Sequence, residues 1–270
     1  KISIDPQQVI ATNTIAPELR DSIAPVMEWT YNKNYVTKTE LAMLDILVHN
    51  NWERPIYFAV TVPGSNFIGL DKYLYNEGFA YRLLPLKPSA ETDDEDQPQM
   101  NEALNTDVMY NNMMNKFVWG NMKNADYLDP ESTRMITIIM RSFNQLAENL
   151  YNQGREEEAK KALQKSLSVV PDKNFAFYSI LQRYYTINLL YKLNELKDAN
   201  KLTEQTANYI TAELNYLADI QSKRGVSLND AQLGLYVLNE LVKVTEENKQ
   251  TALNNSLKNK FQALETKFFR

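Results

Sequence analysis

A chain of 270 residues can bury a sizeable core and has room for two domains. With 44% hydrophobic and 23% charged residues, a net charge of −5 and no Lys/Arg run, it lacks the basic footprint that nucleic acid or an anionic membrane would need. Zero cysteines exclude disulfides and thiolate metal sites, and a single His (His49) leaves zinc with mostly carboxylate ligands, so no cofactor or metal is expected.

No window approaches the roughly 20 apolar residues of a membrane span. The chain opens at Lys1 without a Met or a signal-peptide core, which reads as a piece of something longer. Residues 1–39 carry Pro6, Pro17 and Pro25 between short apolar runs and suggest a strand or two with turns. Leu41, Leu44, Asp45, Leu47 and Val48 form an amphipathic helix over 38–50, with Thr37 or Thr39 as N-cap and Pro55 beyond its end. Ile56–Val62 reads as a strand covered on both faces, because its apolar character is nearly continuous. A turn follows at Pro63-Gly64, then a short helix over Leu70–Asn76 with Gly78 as C-cap, then a second strand over Phe79–Leu86.

The composition changes abruptly at residues 88–100. Glu91, Asp93, Asp94, Glu95 and Asp96 with Pro88 and Pro98 cannot bury a core, which predicts an acidic linker over 89–100. A calcium loop would want a Gly at its sharp turn and a Glu in twelfth place, and that order is missing. From Asn101 on the pattern is helical. One helix spans Leu104–Trp119, with Val108, Met109, Met113, Phe117 and Val118 inward. The next spans Pro130–Tyr151, with Asp129 as N-cap and Pro130 at the first position.

The clearest stretch is Met140–Pro171. Phe143, Leu146, Ala147 and Leu150 line one helix, Gly154 breaks it, and Ala159, Ala162, Leu163, Ser166 and Leu167 face back from a second. Ala147 and Ala159 permit close approach, and the spacing resembles the tetratricopeptide repeat of about 34 residues, with Leu150 and Leu163 where an aromatic is common. Leu150–Ala159 and Leu190–Ala199 align without a gap 40 residues apart, Asn194 replacing Gly154 at the turn. Beyond Ala199, the stripe Leu202, Thr206, Tyr209, Ile210, Glu213, Leu217, Ile220 defines a long helix. Ser227 with Asp230 starts another over Leu228–Val244, and Leu253, Leu257, Phe261, Leu264 and Phe268 line the last. A faint echo of the turn at Leu235–Asn239 lies inside one helix. The expected fold is mostly α: a small mixed α/β domain over 1–88, the linker over 89–100, and tetratricopeptide-like helical hairpins over 101–270.

Catalytic motifs are missing from the sequence. His49 sits at a helix end, where a cation suits the dipole, and no nucleophile motif accompanies it. The aromatic-rich segment Trp52–Tyr81 admits two readings. Trp52, Arg54, Tyr57, Glu77, Tyr81 and Arg82 could stack on and hydrogen-bond a sugar or peptide, or they could be core aromatics with an Arg–Glu pair fixing the strands.

Asn50-Asn51-Trp52-Glu53-Arg54-Pro55-Ile56-Tyr57-Phe58, Gly69-Leu70 and Glu77-Gly78-Phe79-Ala80-Tyr81-Arg82-Leu83-Leu84-Pro85 resemble the C-terminal region of a family of Bacteroidetes multi-pass membrane proteins. That family is similar to the protein O-mannosyltransferase class of membrane glycosyltransferases. The resemblance implies a periplasmic domain following a transmembrane bundle, with the donor-handling carboxylates outside this sequence and no catalytic residue to transfer onto it. It further implies a scaffold that presents protein or peptide acceptors to the membrane part on the concave helical surface, with glycan binding by the aromatic segment as the alternative. Asp21-Ser22-Ile23 also resembles the acceptor motif of Bacteroidetes O-glycosylation, which makes Ser22 a candidate acceptor; about one such match is expected by chance.

Overall fold

The two strands expected at Ile56–Val62 and Phe79–Leu86 pair in one sheet, and the described residues after Asp129 lie mostly in helical hairpins. The computed structural model describes residues 1–31, 33–88, 103–173, 175–224 and 229–269. Contacts divide it into two units, Lys1–Asn115 and Lys116–Arg270. The acidic stretch 89–100 and the Ser227 capping position lie outside the described residues.

In the first unit, β1 (Ile2–Ser3) pairs antiparallel with β2 (Val26–Met27). Between them stands a helix that the sequence reading passed over, α1 (Pro6–Ala11). Asp5 caps it by accepting the Gln7 N–H at 2.9 Å, and Pro6 opens it, where a missing N–H costs nothing. Helix α2 (Lys38–His49) settles its N-cap as Thr37: the Thr37 hydroxyl accepts the Glu40 N–H, and the Glu40 carboxylate accepts the Thr37 N–H. Its inward face is Met43, Leu44 and Leu47, while Leu41 and Val48 are exposed. The stripe is therefore rotated from the expected one.

The main sheet has the order β3 (Tyr57–Ala59), β5 (Ala80–Leu83), β4 (Leu74–Asn76), β6 (Ala103–Leu104). Four expectations change here. The apolar run Ile56–Val62 is a strand only at Tyr57–Ala59, on the sheet's edge, and Tyr57 is 47% exposed, so it is not covered on both faces. The run turns away where Val62 N–H bonds back to Ala59 C=O at 2.9 Å. The expected helix over Leu70–Asn76 is one 3₁₀ turn (Asp71–Tyr73) followed by β4, because Leu74-Tyr75-Asn76 finds a ladder on β5. Gly78 (φ +123°) consequently serves the β4–β5 hairpin instead of capping a helix. Finally, β6 joins β4 in parallel, so residues beyond the acidic stretch complete this sheet before the helices begin.

Behind β6, α3 (Thr106–Asn111) opens into a wide π turn over Asn112–Lys116 and stops short of the expected end at Trp119. Met109 and Met113 are buried as read, but Val118 is 94% exposed. The unit's core centres on Phe67, which meets Phe58 and Tyr81 edge-on at 5.4 and 5.6 Å. Gly69 (φ +85°) is required beside it, since a Cβ there would fall 2.5 Å from the Thr30 carbonyl oxygen.

Among the described residues, the second unit's hairpins are α4 (Pro130–Asn152) with α5 (Glu156–Val169), α6 (Ile180–Lys192) with α7 (Leu196–Arg224), and α8 (Asn229–Glu247) with α9 (Thr251–Phe269). Asp129 caps α4 as its position predicts. The three turns share one geometry. A left-handed residue stands at Gly154, Asn194 and Lys249 (φ +75°, +60° and +57°), and the next N–H reaches back to Leu150, Leu190 and Thr245 C=O at 2.9, 2.8 and 2.9 Å. The third turn escapes a sequence reading because Lys249 is neither Gly nor Asn. Ala147, Leu150, Ala159, Ala162 and Leu163 are all fully buried, as the stripe requires. In the third hairpin Thr245 and Asn254 stand where the first has Leu150 and Ala159; Asn254 Nδ2 donates to Val242 O at 2.7 Å and Thr245 Oγ1 at 3.0 Å. The echo at Leu235–Asn239 lies inside α8. No helix among the described residues is long and apolar enough to cross a membrane.

Candidate functional site

Strand alternation decides what the aromatic segment can do. Tyr57 pairs with Arg82, and Arg82 with Tyr75, so these three side chains share the sheet's outer face. Phe58 and Tyr81 take the opposite face, and Tyr81 is 5% exposed, part of the core.

Glu77, at the turn after β4, organises the outer group from a buried position. It accepts hydrogen bonds from Tyr57 Oη at 3.2 Å and Asn105 Nδ2 at 2.8 Å, and its carbonyl accepts Asn112 Nδ2 at 2.9 Å. Arg82 Nη1 lies 3.7 Å from the carboxylate, and Nη2 donates to Asn13 O at 3.5 Å. The guanidinium sits 5.9 Å from the Tyr57 ring centroid. Burial, and then the Glu77 charge, push the Tyr57 phenol pKa upward, which keeps it a donor. Both Glu77 oxygens are thus engaged, and the group works as a bracket holding β3, β5 and α3 together.

The structure therefore brings Tyr57, Glu77 and Arg82 into one cluster. Trp52 stands apart, half-buried with φ +61° and packed on the core, its carbonyl 3.5 Å from Thr14 Oγ1. The Arg54 side chain is exposed, and its carbonyl accepts Asn50 Nδ2 at 2.7 Å. Ser22 is exposed at the end of a 3₁₀ turn, its carbonyl bonded to Lys87 N–H at 2.8 Å. His49 ends α2 at the surface, with Nδ1 3.1 Å from Asp45. Sequence reasoning missed Asn13, Asn105 and Asn112. No local pattern marks an asparagine whose role comes from a strand paired across the acidic stretch. No group of acids and His that could hold a metal occurs among the described residues.

A second surface belongs to the hairpin unit. The first helices pack side by side, α4 on α6 and α6 on α8. Aligning the shared turns puts Ile138, Tyr178 and Leu233 in one row, Arg141, Leu181 and Tyr236 in the next, and Gln145, Tyr185 and Glu240 in a third. Tyr178, Tyr185 and Tyr236 are 48%, 38% and 53% exposed. Beneath them, Tyr184 Oη donates to Glu240 at 3.3 Å and its ring lies 5.6 Å from Tyr185. Burial, followed by Glu240, pushes the Tyr184 phenol to about 12. Glu240 in turn pairs with Lys243 at 2.6 Å. The result is a polar-edged aromatic face whose base is fixed.

Residues 1–108 match the family described as TMEM260-associated domain 2. The match takes in the whole of the main sheet, including β6. No curated protein and no solved structure matches the chain.

Proposed function

We propose that this chain is a non-catalytic, extracytoplasmic accessory domain of a membrane glycosyltransferase-like protein, and that it binds protein or peptide acceptors. The observation that carries the binding role is the group of half-exposed tyrosines, Tyr185 on α6, Tyr236 on α8 and Tyr178 in the turn that leads into α6. Tyrosine offers a large, stiff, amphipathic contact with a hydroxyl for peptide carbonyls, at low entropic cost. Stacked hairpins place such side chains along an extended surface suited to a polypeptide segment. The membrane setting rests on the match of residues 1–108 to a TMEM260-associated domain and on the resemblance to O-mannosyltransferase-type enzymes. The periplasmic side follows from that resemblance.

The test is deletion within the full-length parent. Removing the hairpin unit is expected to lower glycan transfer to protein acceptors, while the isolated 270-residue chain transfers no sugar. Unchanged acceptor use after deletion refutes the proposal.

A second reading, glycan binding at the sheet, is favoured by one feature: Tyr57 is exposed beside Arg82, so a sugar ring has one aromatic platform there. Calorimetric titration with mannose-type oligosaccharides checks it, and a Tyr57→Ala variant should lose any heat observed.

A further inference from the structure

Arg183 is a buried cation that neither reading uses. It lies on α6 at 3% exposure, with Nε donating to Thr206 Oγ1 at 3.1 Å and the guanidinium 4.7 Å from the Phe175 ring centroid. Among the described residues no carboxylate oxygen lies within 4.0 Å of it. Asp172, whose charge bears on it, is drawn to Lys123 at 3.0 Å. Burial lowers the Arg183 pKa to about 10, so the group stays charged at neutral pH. A buried charge with no carboxylate in contact carries a large desolvation cost, and the ring face and one hydroxyl answer only part of it.

Beside Arg183 is a crevice of about 20 Å³, walled by Ser166, Thr186, Asp172, Met140 and Leu202. That is room for one water-sized atom with polar neighbours. The Thr186 hydroxyl is spent on Asn144 Oδ1 at 2.7 Å, leaving Arg183 and Ser166 as the groups that can donate inward. The crevice shares Leu167, Asp172 and Leu202 with a cleft of about 340 Å³ whose walls also include Lys123, Lys201 and Asp198.

We propose that this crevice is a binding site for a monovalent anion, taking either a halide or one oxygen of a carboxylate, held by the Arg183 guanidinium and the Ser166 hydroxyl. A free ion and an acidic side chain entering through the cleft share this chemistry. The site is separate from the tyrosine face and does not depend on the peptide reading.

The test uses the whole 270-residue chain. Replacing sodium isethionate by sodium chloride or sodium acetate at equal ionic strength should raise the Tm of the hairpin unit by about 2–4 °C, the shift that a modest ligand gives a unit of this size. Arg183→Met should abolish that rise and Ser166→Ala should reduce it. Should Arg183→Met fail to fold, crystals of the unaltered chain soaked in bromide should show anomalous density within hydrogen-bonding reach of the Arg183 Nη atoms. A peptide with one central Glu, titrated in isethionate and again in chloride, separates the sources. Binding that chloride suppresses marks a carboxylate entering from the cleft, and no peptide binding with bromide density marks a free halide; both support the site. Melting indifferent to the anion, with no bromide density and Asp172 turned onto the guanidinium, overturns it.

Discussion

The two units solve the same packing problem by opposite means. The hairpin unit closes over short sequence distances: each turn bonds back within five residues, and fully buried small residues let neighbouring helices touch. The sheet unit depends on distant partners, with Glu77 joining Tyr57, Asn105 and Asn112, and Arg82 reaching Asn13. In the first, apolar periodicity specifies most of the contacts, with buried polar pairs such as Thr186–Asn144 added to it. In the second, one polar side chain decides whether several segments hold together.

That contrast predicts the largest loss at a polar residue in the sheet unit. Glu77→Ala takes from Arg82 the carboxylate 3.7 Å away and takes the acceptor from Tyr57 and Asn105. The expected cost is about 3–5 kcal/mol, read as a shift in the urea midpoint of the first unit. Leu150→Ala, an apolar truncation at a fully buried site of the first hairpin, should cost about 2–5 kcal/mol and leave the sheet unit's transition unmoved. Should Glu77→Ala prove silent, the bracket is ornamental and the contrast fails.

What was legible follows the same division. The stripe Phe143–Leu150, the Gly154 break and the facing alanines state a helical hairpin within one short window, and the Asn194 turn repeats it. The third hairpin keeps the geometry with different chemistry, Thr245 and Asn254 hydrogen-bonded where Leu150 and Ala159 pack, so its alignment is weak in sequence though close in space. In the sheet unit, Leu70–Asn76 has the composition of a short helix and becomes a strand because β5 is beside it. Tertiary pairing outweighs local preference there. The cluster was half readable: Tyr57, Glu77 and Arg82 stood out by type, whereas Asn105 gains its role only once β6 pairs with β4.

Smaller effects sharpen the comparison. Gly69→Ala forces a Cβ against the Thr30 carbonyl at a left-handed position, and should destabilise the sheet unit by about 1–3 kcal/mol in thermal melts. Asn254→Ala removes two buried hydrogen bonds from the third hairpin and should cost about 1–2 kcal/mol, whereas an Ala is already native at the matching place in the first. The smallest expected effect is a pH dependence at α2. The hydrogen bond from Lys33, then those from Thr37, lower the Glu40 carboxyl to about 2. Its folded pKa lies below the unfolded value, so its stabilisation is complete above the ordinary carboxylate range and is lost as pH falls toward 2. Carboxyl NMR titration should place Glu40 near 2, and Thr37→Ala should move it upward.

The role assigned to the tyrosine face has one direct test. Amide and aromatic NMR spectra of the ¹⁵N,¹³C-labelled chain, titrated with an extended Ser/Thr-rich peptide, should show shifts concentrated at Tyr178, Tyr185 and Tyr236, and Tyr185→Ala should weaken binding by about tenfold, the scale of one aromatic contact. Shifts confined to the Tyr57–Arg82 sheet, or a peptide that moves no resonance, would contradict acceptor binding on the helical hairpins.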